Sequence, residues 1–170
     1  MNIKQKYRER ILKNEYTKIK RAPVAPKRED IKKVGIIWHP SQKEAVNYLR
    51  NFFKQEIVRT FCVFDKISNP PDDKDGLTIT DLNWWGLPKN EKINNFLSVH
   101  FDVLLNITPK QNFILNYLTA LTNADFKIGS SKDEQNYFDL NIHIKENQSA
   151  LFLAEQQIFY LSQLNKKQNK

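Results

Sequence analysis

Two short, predominantly apolar runs do most to limit what this chain can fold into. They lie at residues 33–38 (KVGIIW) and 101–107 (FDVLLNI). A strand with several consecutive apolar positions is covered on both of its faces, which is typical of strands inside a parallel sheet. Because each run precedes a segment in which apolar residues recur at helical spacing, the sequence predicts repeated strand–helix units.

The remaining segments continue this alternation. We predict further strands at residues 57–65, 124–129 and 137–144, and helices at about 41–53, 91–99, 109–122 and 150–164. The sequence therefore predicts an α/β fold: a single three-layer Rossmann-like or flavodoxin-like domain with a mostly parallel sheet, preceded by a basic N-terminal helix. The alternating pattern of 137–144 indicates an edge strand with one face in water.

Turn and capping signals mark where these elements begin and end. Ser41 with Glu44, and Thr108 with Gln111, each have the spacing of a capping box at a helix start. The segment NPPDDKDG (69–76) is a charged turn, because its prolines and glycine are incompatible with regular structure. The segment LNWWGLP (82–88) is open to two interpretations, a short edge strand or an irregular aromatic segment.

The basic charge of the chain is concentrated at its N-terminus. Residues 1–33 contain twelve Lys and Arg against four Asp and Glu, whereas residues 34–170 contain fifteen of each. The apolar residues of the basic part recur at helical spacing, which indicates an amphipathic helix with a narrow apolar stripe. We therefore predict four parts: a basic amphipathic helix (1–20), a linker (21–32), the α/β domain (33–164) and a polar tail (165–170).

Several classes of protein are disfavoured by the composition. No apolar run approaches the ~20 residues that a membrane-spanning helix needs. The first residues, MNIKQKYRERILK, contain no apolar core of a signal peptide. A single cysteine, Cys62, excludes an intramolecular disulfide and a paired-cysteine metal site, and its apolar neighbours predict that it is buried. These features together predict a cytoplasmic protein.

Polar residues that follow the predicted strands form the first candidate site. His39 and Ser41 follow the first strand, Asp65 the second, and Asn106 and Thr108 the strand at 101–107. In a parallel sheet these positions meet at the carboxyl ends of the strands, where ligands usually bind. His39, as a general base, Asp65 and Thr108 are weak catalytic candidates, because each also has a structural role as a cap or at a turn.

Cofactor and metal sites are not predicted. The turn after the first strand, WHPSQ (38–42), contains a proline and no glycine, so its backbone cannot wrap closely around phosphates, and no nucleotide cofactor is expected. His39, His100 and His143 are far apart in sequence, and His100 is expected at the opposite end of the sheet from His39. No GxSxG nucleophile motif is present.

The N-terminal basic residues form the second candidate site, for an anionic partner. They are Lys4, Lys6, Arg8, Arg10, Lys13, Lys18, Lys20 and Arg21. RNA, with the ribosome included, is the first candidate, and an anionic membrane surface is the second. Trp84 and Trp85 are adjacent, so in an extended segment one indole is exposed for stacking or for a protein contact. A binding role is favoured over an enzymatic one.

Three stretches also carry a family resemblance. In order, they are DLNWWGLPKNEKINNFL, FDVLLNIT, and LTALTNADFKIGSS with YFDLNI shortly after it. Their order and spacing resemble a bacterial family of about 170 residues with a domain of unknown function, over roughly residues 30–164 together with the basic N-terminal lead. The resemblance implies no activity.

A shorter part of the chain is similar to another family. The strand FDVLLNIT, followed by a helix and ADFKIG, resembles the N-terminal Rossmann-like half of heptosyltransferase-type glycosyltransferases. That resemblance implies a Rossmann-like fold, and a degenerate glycosyltransferase-like domain or a small enzyme remains an alternative function. The chain is long enough for only one of the two domains of such enzymes.

Overall fold

The computed structural model describes residues 2–64, 75–133 and 136–167. The helices are α1 (Ile3–Lys18), α2 (Lys43–Phe52), α3 (Asn90–Leu97), α4 (Phe113–Leu121) and α5 (Ala150–Lys167). The strands are β1 (Lys33–Trp38), β2 (Ile57–Val63), β3 (Gly76–Leu77), β4 (Phe101–Asn106), β5 (Ala124–Gly129) and β6 (Leu140–Asn141). The predicted N-terminal helix is therefore present.

The six strands form one sheet in the order β3-β2-β1-β4-β5-β6, and all of their pairings are parallel. The two apolar runs that anchored the prediction, β1 and β4, are neighbours at its centre, with Val34 opposite Val103. The chain winds outward from β1 to β3 in one direction and from β4 to β6 in the other. This is the doubly wound Rossmann-like arrangement, and it confirms the predicted fold class.

Helices cover both faces of the sheet. Neighbouring residues of the central strands point to opposite faces, so Ile36 packs in the core under α2 and α5 while Ile37 packs in the core under α3 and α4. Leu105 and Leu104 of β4 divide in the same way. Helix α1 lies outside α4 and contributes Leu12 to the second core. Cys62 is buried, as predicted.

Two predicted helix caps are wrong. The first turn after β1 is a short 3-10 turn, Pro40–Gln42, capped by His39 rather than Ser41, and α2 begins only at Lys43. The Gln42 side chain closes the capping box by accepting the His39 N–H at 2.9 Å.

At the other predicted helix start, α4 begins five residues after Thr108. Its N-cap is Asn112, whose side-chain oxygen accepts the Leu115 N–H at 2.9 Å. Thr108 is not available as the cap because Asn106 binds its N–H and its hydroxyl group.

The predicted edge strand at 137–144 is shorter than expected. Only Leu140–Asn141 pairs with β5, with Leu140 opposite Ile128 and Asn141 opposite Gly129. The Asn141 side chain accepts from Ser131 N at 2.8 Å and donates to Ser131 O at 3.0 Å, so a side chain rather than a backbone ladder joins β6 to Ser131.

The segment at 82–88 is irregular rather than a strand. It forms a tight turn in which Gly86 adopts a φ of 77°, a conformation that favours glycine.

Helix α5 continues to Lys167, three residues into the predicted polar tail. Asp65 and most of the predicted charged turn at 69–76 lie outside the described residues.

Candidate functional site

Helix α1 is fastened to the domain by a small number of specific contacts. Leu12 is its buried residue, the Arg8 guanidinium lies 4.6 Å from the centre of the Phe113 ring, and Tyr16 packs edge-on against Tyr137 at 4.9 Å. The basic N-terminal helix is therefore a docked element of the fold.

The residues after α1 are anchored by an ion pair. Arg21 donates to both carboxylate oxygens of Asp139, at 2.8 and 2.5 Å, and both side chains are largely buried. The same guanidinium donates to the carbonyls of Ala124 and Asp125 at 3.1 and 3.0 Å. This bidentate geometry fixes the linker against the amino end of β5.

The aromatic turn at 82–88 lies against the first two turns of α1. The rings of Tyr7 and Trp85 are 4.5 Å apart, and the Lys4 ammonium lies 3.8 Å from the centre of the Trp84 ring. Trp84 is nevertheless 78% exposed. The two candidate binding features of the sequence, the basic helix and the tryptophan pair, thus form one continuous surface.

The eight basic candidate residues divide into two groups in the structure. Lys4 and Arg8 lie over aromatic rings, Lys18 pairs with Glu15 at 2.7 Å, and Arg21 pairs with Asp139. The second group comprises Lys6, Arg10, Lys13 and Lys20. These four are exposed, and none of them forms an ion pair within residues 2–64, 75–133 and 136–167.

The polar residues at the strand ends meet in a cleft of about 570 Å³ between the loops that follow β1 and β4. His39, Ser41, Thr108 and Lys110 are among its lining residues. The His39 ring nitrogen Nδ1 lies 2.8 Å from Ser41 Oγ and accepts the Ser41 N–H at 3.3 Å. His39 therefore caps its own turn at the mouth of the cleft.

Beneath the cleft, Asn106 organises the loop that follows β4. Its side chain is fully buried and donates to Gln111 Oε1 and Thr119 Oγ1, each at 3.0 Å. Its Oδ1 accepts the Thr108 N–H at 3.0 Å and the Thr108 hydroxyl, which in turn accepts from Gln111 Nε2 at 3.1 Å. The Thr108 hydroxyl, a weak catalytic candidate, thus both donates and accepts within the protein. Asp65, the third candidate, lies outside the described residues.

The sequence analysis missed one cluster of charged residues and one buried lysine. At the amino ends of β4 and β5, the side chains of His100, Asp102 and Asp125 each have one nitrogen or carboxylate oxygen of a kind that binds metal ions, and these atoms lie within 4.8 Å of one another. His100 Nε2 is 3.1 Å from Asp125 Oδ2. Asp102 also accepts the N–H groups of Lys32 and Lys33, both at 2.7 Å. The sequence signal for this cluster was the position of His100, Asp102 and Asp125 at the starts of two strands that are neighbours in the sheet.

The other missed residue is a buried lysine. Lys127, in the middle of β5, is fully buried and donates from Nζ to the carbonyls of Thr119 and Ala120 at 2.7 and 2.8 Å. Burial, with a smaller contribution from Arg21, lowers the pKa of Lys127 to about 7, although Asp139 acts in the opposite direction. A lysine with apolar neighbours on both sides, in the FKIG part of the strand, was the sequence signal for such a position.

Comparison with known proteins places the chain in a family. Residues 4–164 match a family of unknown function, DUF6913. The chain belongs to this family. The matched range runs from α1 into α5, so the basic helix is part of the family's shared unit, and the family resemblance found in the sequence is confirmed. No curated protein and no solved structure matches the chain, and no link with glycosyltransferases is found.

Proposed function

We propose that the protein is a non-enzymatic binding module whose α1 surface docks on single-stranded RNA, with ribosomal RNA included. The observation that carries this proposal is the contact between α1 and the turn at 82–88, which places an exposed indole beside Lys4, on the helix that also carries Lys6, Arg10 and Lys13. Basic side chains that track a backbone, together with an aromatic ring for a base, are the two components of sequence-tolerant single-strand binding.

The electrostatic component comes from one exposed face of α1. Residues 6, 10 and 13 recur at spacings of four and three, so Lys6, Arg10 and Lys13 lie together on that face, along the groove between α1 and residues 111–113. Lys20 extends the positive charge beyond the helix end. Four cations without ion pairs among the described residues are available to replace counterions on a phosphate backbone.

The aromatic component is Trp84. One face of its ring is occupied by the Lys4 ammonium, and its high exposure leaves the rest of the ring accessible to a base. Trp85 packs on Tyr7 and supports this position. We place the proposed activity in the cytoplasm, where an RNA partner is present.

Removing three cations from α1 is expected to weaken RNA binding about a hundredfold at ~100 mM salt. In the triple variant Lys6→Gln, Arg10→Gln and Lys13→Gln, the slope of log K against log salt is expected to fall by about 2, because each single-strand phosphate contact contributes about 0.7. Fluorescence polarisation with a labelled single-stranded RNA of about 20 nucleotides measures both quantities.

A matched control changes the same charge elsewhere. Lys27, Lys43 and Lys54 are exposed and lie away from α1, so their replacement by glutamine is expected to leave the salt slope within about 0.5 of the wild-type value. Trp84→Ala is expected to weaken binding about fivefold or more, and Phe159→Ala, at an exposed ring of α5, is expected to have no effect. Equal losses in the α1 and control triples contradict the proposal.

A peripheral membrane role is the second candidate, and one observation favours it. Five large apolar side chains of the α1 surface are exposed: Ile3, Tyr7, Ile79, Trp84 and Trp85. The sequence of α1 alone contains no tryptophan, but the fold supplies two from the neighbouring turn. No helix within the described residues has the length and apolar character to cross a bilayer, so such attachment is interfacial.

Flotation with anionic phosphatidylserine vesicles separates the two candidates. If the protein binds RNA, it is expected to remain with the RNA and to be absent from the floating vesicle fraction at physiological salt. If the protein floats with the vesicles, loses this flotation in Trp84→Ala, and binds the vesicles more tightly than it binds RNA, the membrane proposal replaces the RNA proposal.

A further inference from the structure

The cleft at the carboxyl ends of β1 and β4 has the position and size of a small-molecule site. The strand order reverses between these two strands, and in open parallel sheets that is where ligands bind. Its volume of about 570 Å³ falls within the range of small-molecule pockets, roughly 300–1,000 Å³. No residue of α1 lines the cleft, although Gln111 and Asn112 line both the cleft and the adjoining groove beside α1.

The walls of the cleft are held in place before any ligand arrives. On the β4 side, buried Asn106 holds Thr108 and Gln111 through three hydrogen bonds of its side chain, and Gln111 donates a fourth to the Thr108 hydroxyl. On the β1 side, the capping box of His39 and Gln42 fixes the turn that carries Ser41. Preorganised polar walls reduce the entropy cost of binding a small ligand.

The charge at the rim favours an anionic group. Lys110 lines the cleft and has no ion pair among the residues that the structure describes. Glu146 is the carboxylate of the lining, and it pairs with Lys132. Lys132 and Lys110 both lower the pKa of Glu146, so two cations face one carboxylate at this rim.

The backbone of the cleft selects between anionic groups. No glycine occurs among its lining residues, and prolines occupy both loops, at positions 40 and 109. Such loops cannot bring several N–H groups around a tetrahedral phosphate, as glycine-rich turns do. A planar carboxylate needs fewer donors, and a lysine ammonium, with three N–H groups, supplies them.

We infer that this cleft binds a small organic acid, with Lys110 recognising its carboxylate. The Lys110 ammonium provides both the charge and the N–H donors, while Val63 and Leu115 cover the apolar part of the ligand. Binding at this cleft does not require RNA binding by α1.

Amide NMR spectra of the ¹⁵N-labelled full chain test this inference. The probes are succinate and citrate at about 10 mM, with inorganic phosphate at matched ionic strength as the comparison. One of the acids is expected to shift amide signals within 39–42, 108–112 and 146–150. Lys110→Gln is expected to weaken binding about fivefold, and Ser41→Trp, which fills the cleft from an exposed position, to abolish it.

Lys54→Gln is the matched control, because Lys54 is exposed and lies outside the cleft lining. Its affinity for the acids is expected to equal that of the wild type. Absence of shifts in the three loops with both acids overturns the inference, as does an equal response to phosphate. Equal weakening by Lys110→Gln and Lys54→Gln overturns it as well. The variants' thermal unfolding confirms that each remains folded.

Discussion

Replacement of Asn106 by leucine is expected to lower the free energy of unfolding by about 3–4 kcal/mol. The side chain is fully buried, and its amide serves three partners: Thr108, Gln111 and Thr119. Leucine has a similar volume and leaves little cavity. It cannot form hydrogen bonds, so the Thr108 N–H and the polar side-chain atoms of Gln111 and Thr119 lose their bonds to residue 106. Urea unfolding followed by circular dichroism measures the change.

An exposed asparagine supplies the control for this substitution. Asn94→Leu, on the exposed face of α3, is expected to change stability by less than about 0.5 kcal/mol. In Asn106→Leu the amides of residues 107–112 are also expected to exchange with solvent faster, because the loop loses its anchor. A loss below about 1 kcal/mol contradicts the role assigned to Asn106.

Stability is expected to rise by about 2 kcal/mol between pH 7 and pH 9 because of Lys127. The folded-state pKa of Lys127 is lowered from 10.5 to about 7 by burial, so the folded protein loses the proton before the unfolded chain does. Between these two pKa values the unfolded chain binds more protons, and deprotonation therefore favours the folded state. Arg21 and Asp139 are the charged groups that act on this amine.

Lys127→Met isolates this contribution, because methionine fills similar space and does not titrate. The difference in unfolding free energy between wild type and variant is expected to shift in favour of the wild type as the pH rises from 7 to 9. For Lys54→Met, at an exposed position, the plot of unfolding free energy against pH is expected to run parallel to that of the wild type. If the plots of unfolding free energy against pH for the wild type and Lys127→Met are parallel, the pKa of Lys127 is not lowered in the folded protein.

The central strands were predictable because their signal is local. A strand buried on both faces is apolar at most of its positions, and β1 and β4 therefore stand out in the sequence at 33–38 and 101–107. The caps were not predictable, because Thr108 and Asn112 are both good N-caps. Their competition was decided by Asn106, which binds Thr108 from within the folded core.

The binding surfaces were predictable only in part. The positions at the strand ends follow from the parallel fold, so the gathering of His39, Ser41 and Thr108 in one cleft was expected. The contact between Tyr7 and Trp85 joins residues that are far apart in sequence, and no periodicity reports it. The division of the basic residues into paired and unpaired groups likewise depends on tertiary neighbours such as Asp139.

The strand order also has a consequence for folding during synthesis. β1, α2 and β2 are consecutive in the chain and can assemble as soon as they are made, but the other edge of β1 waits for β4, which begins at Phe101. Until then the chain presents an apolar strand with one edge of unpaired backbone groups. Non-local parallel pairing forms slowly. The interval between completion of β2 and arrival of β4 is therefore the stage at which a nascent chain is most prone to pair with another chain.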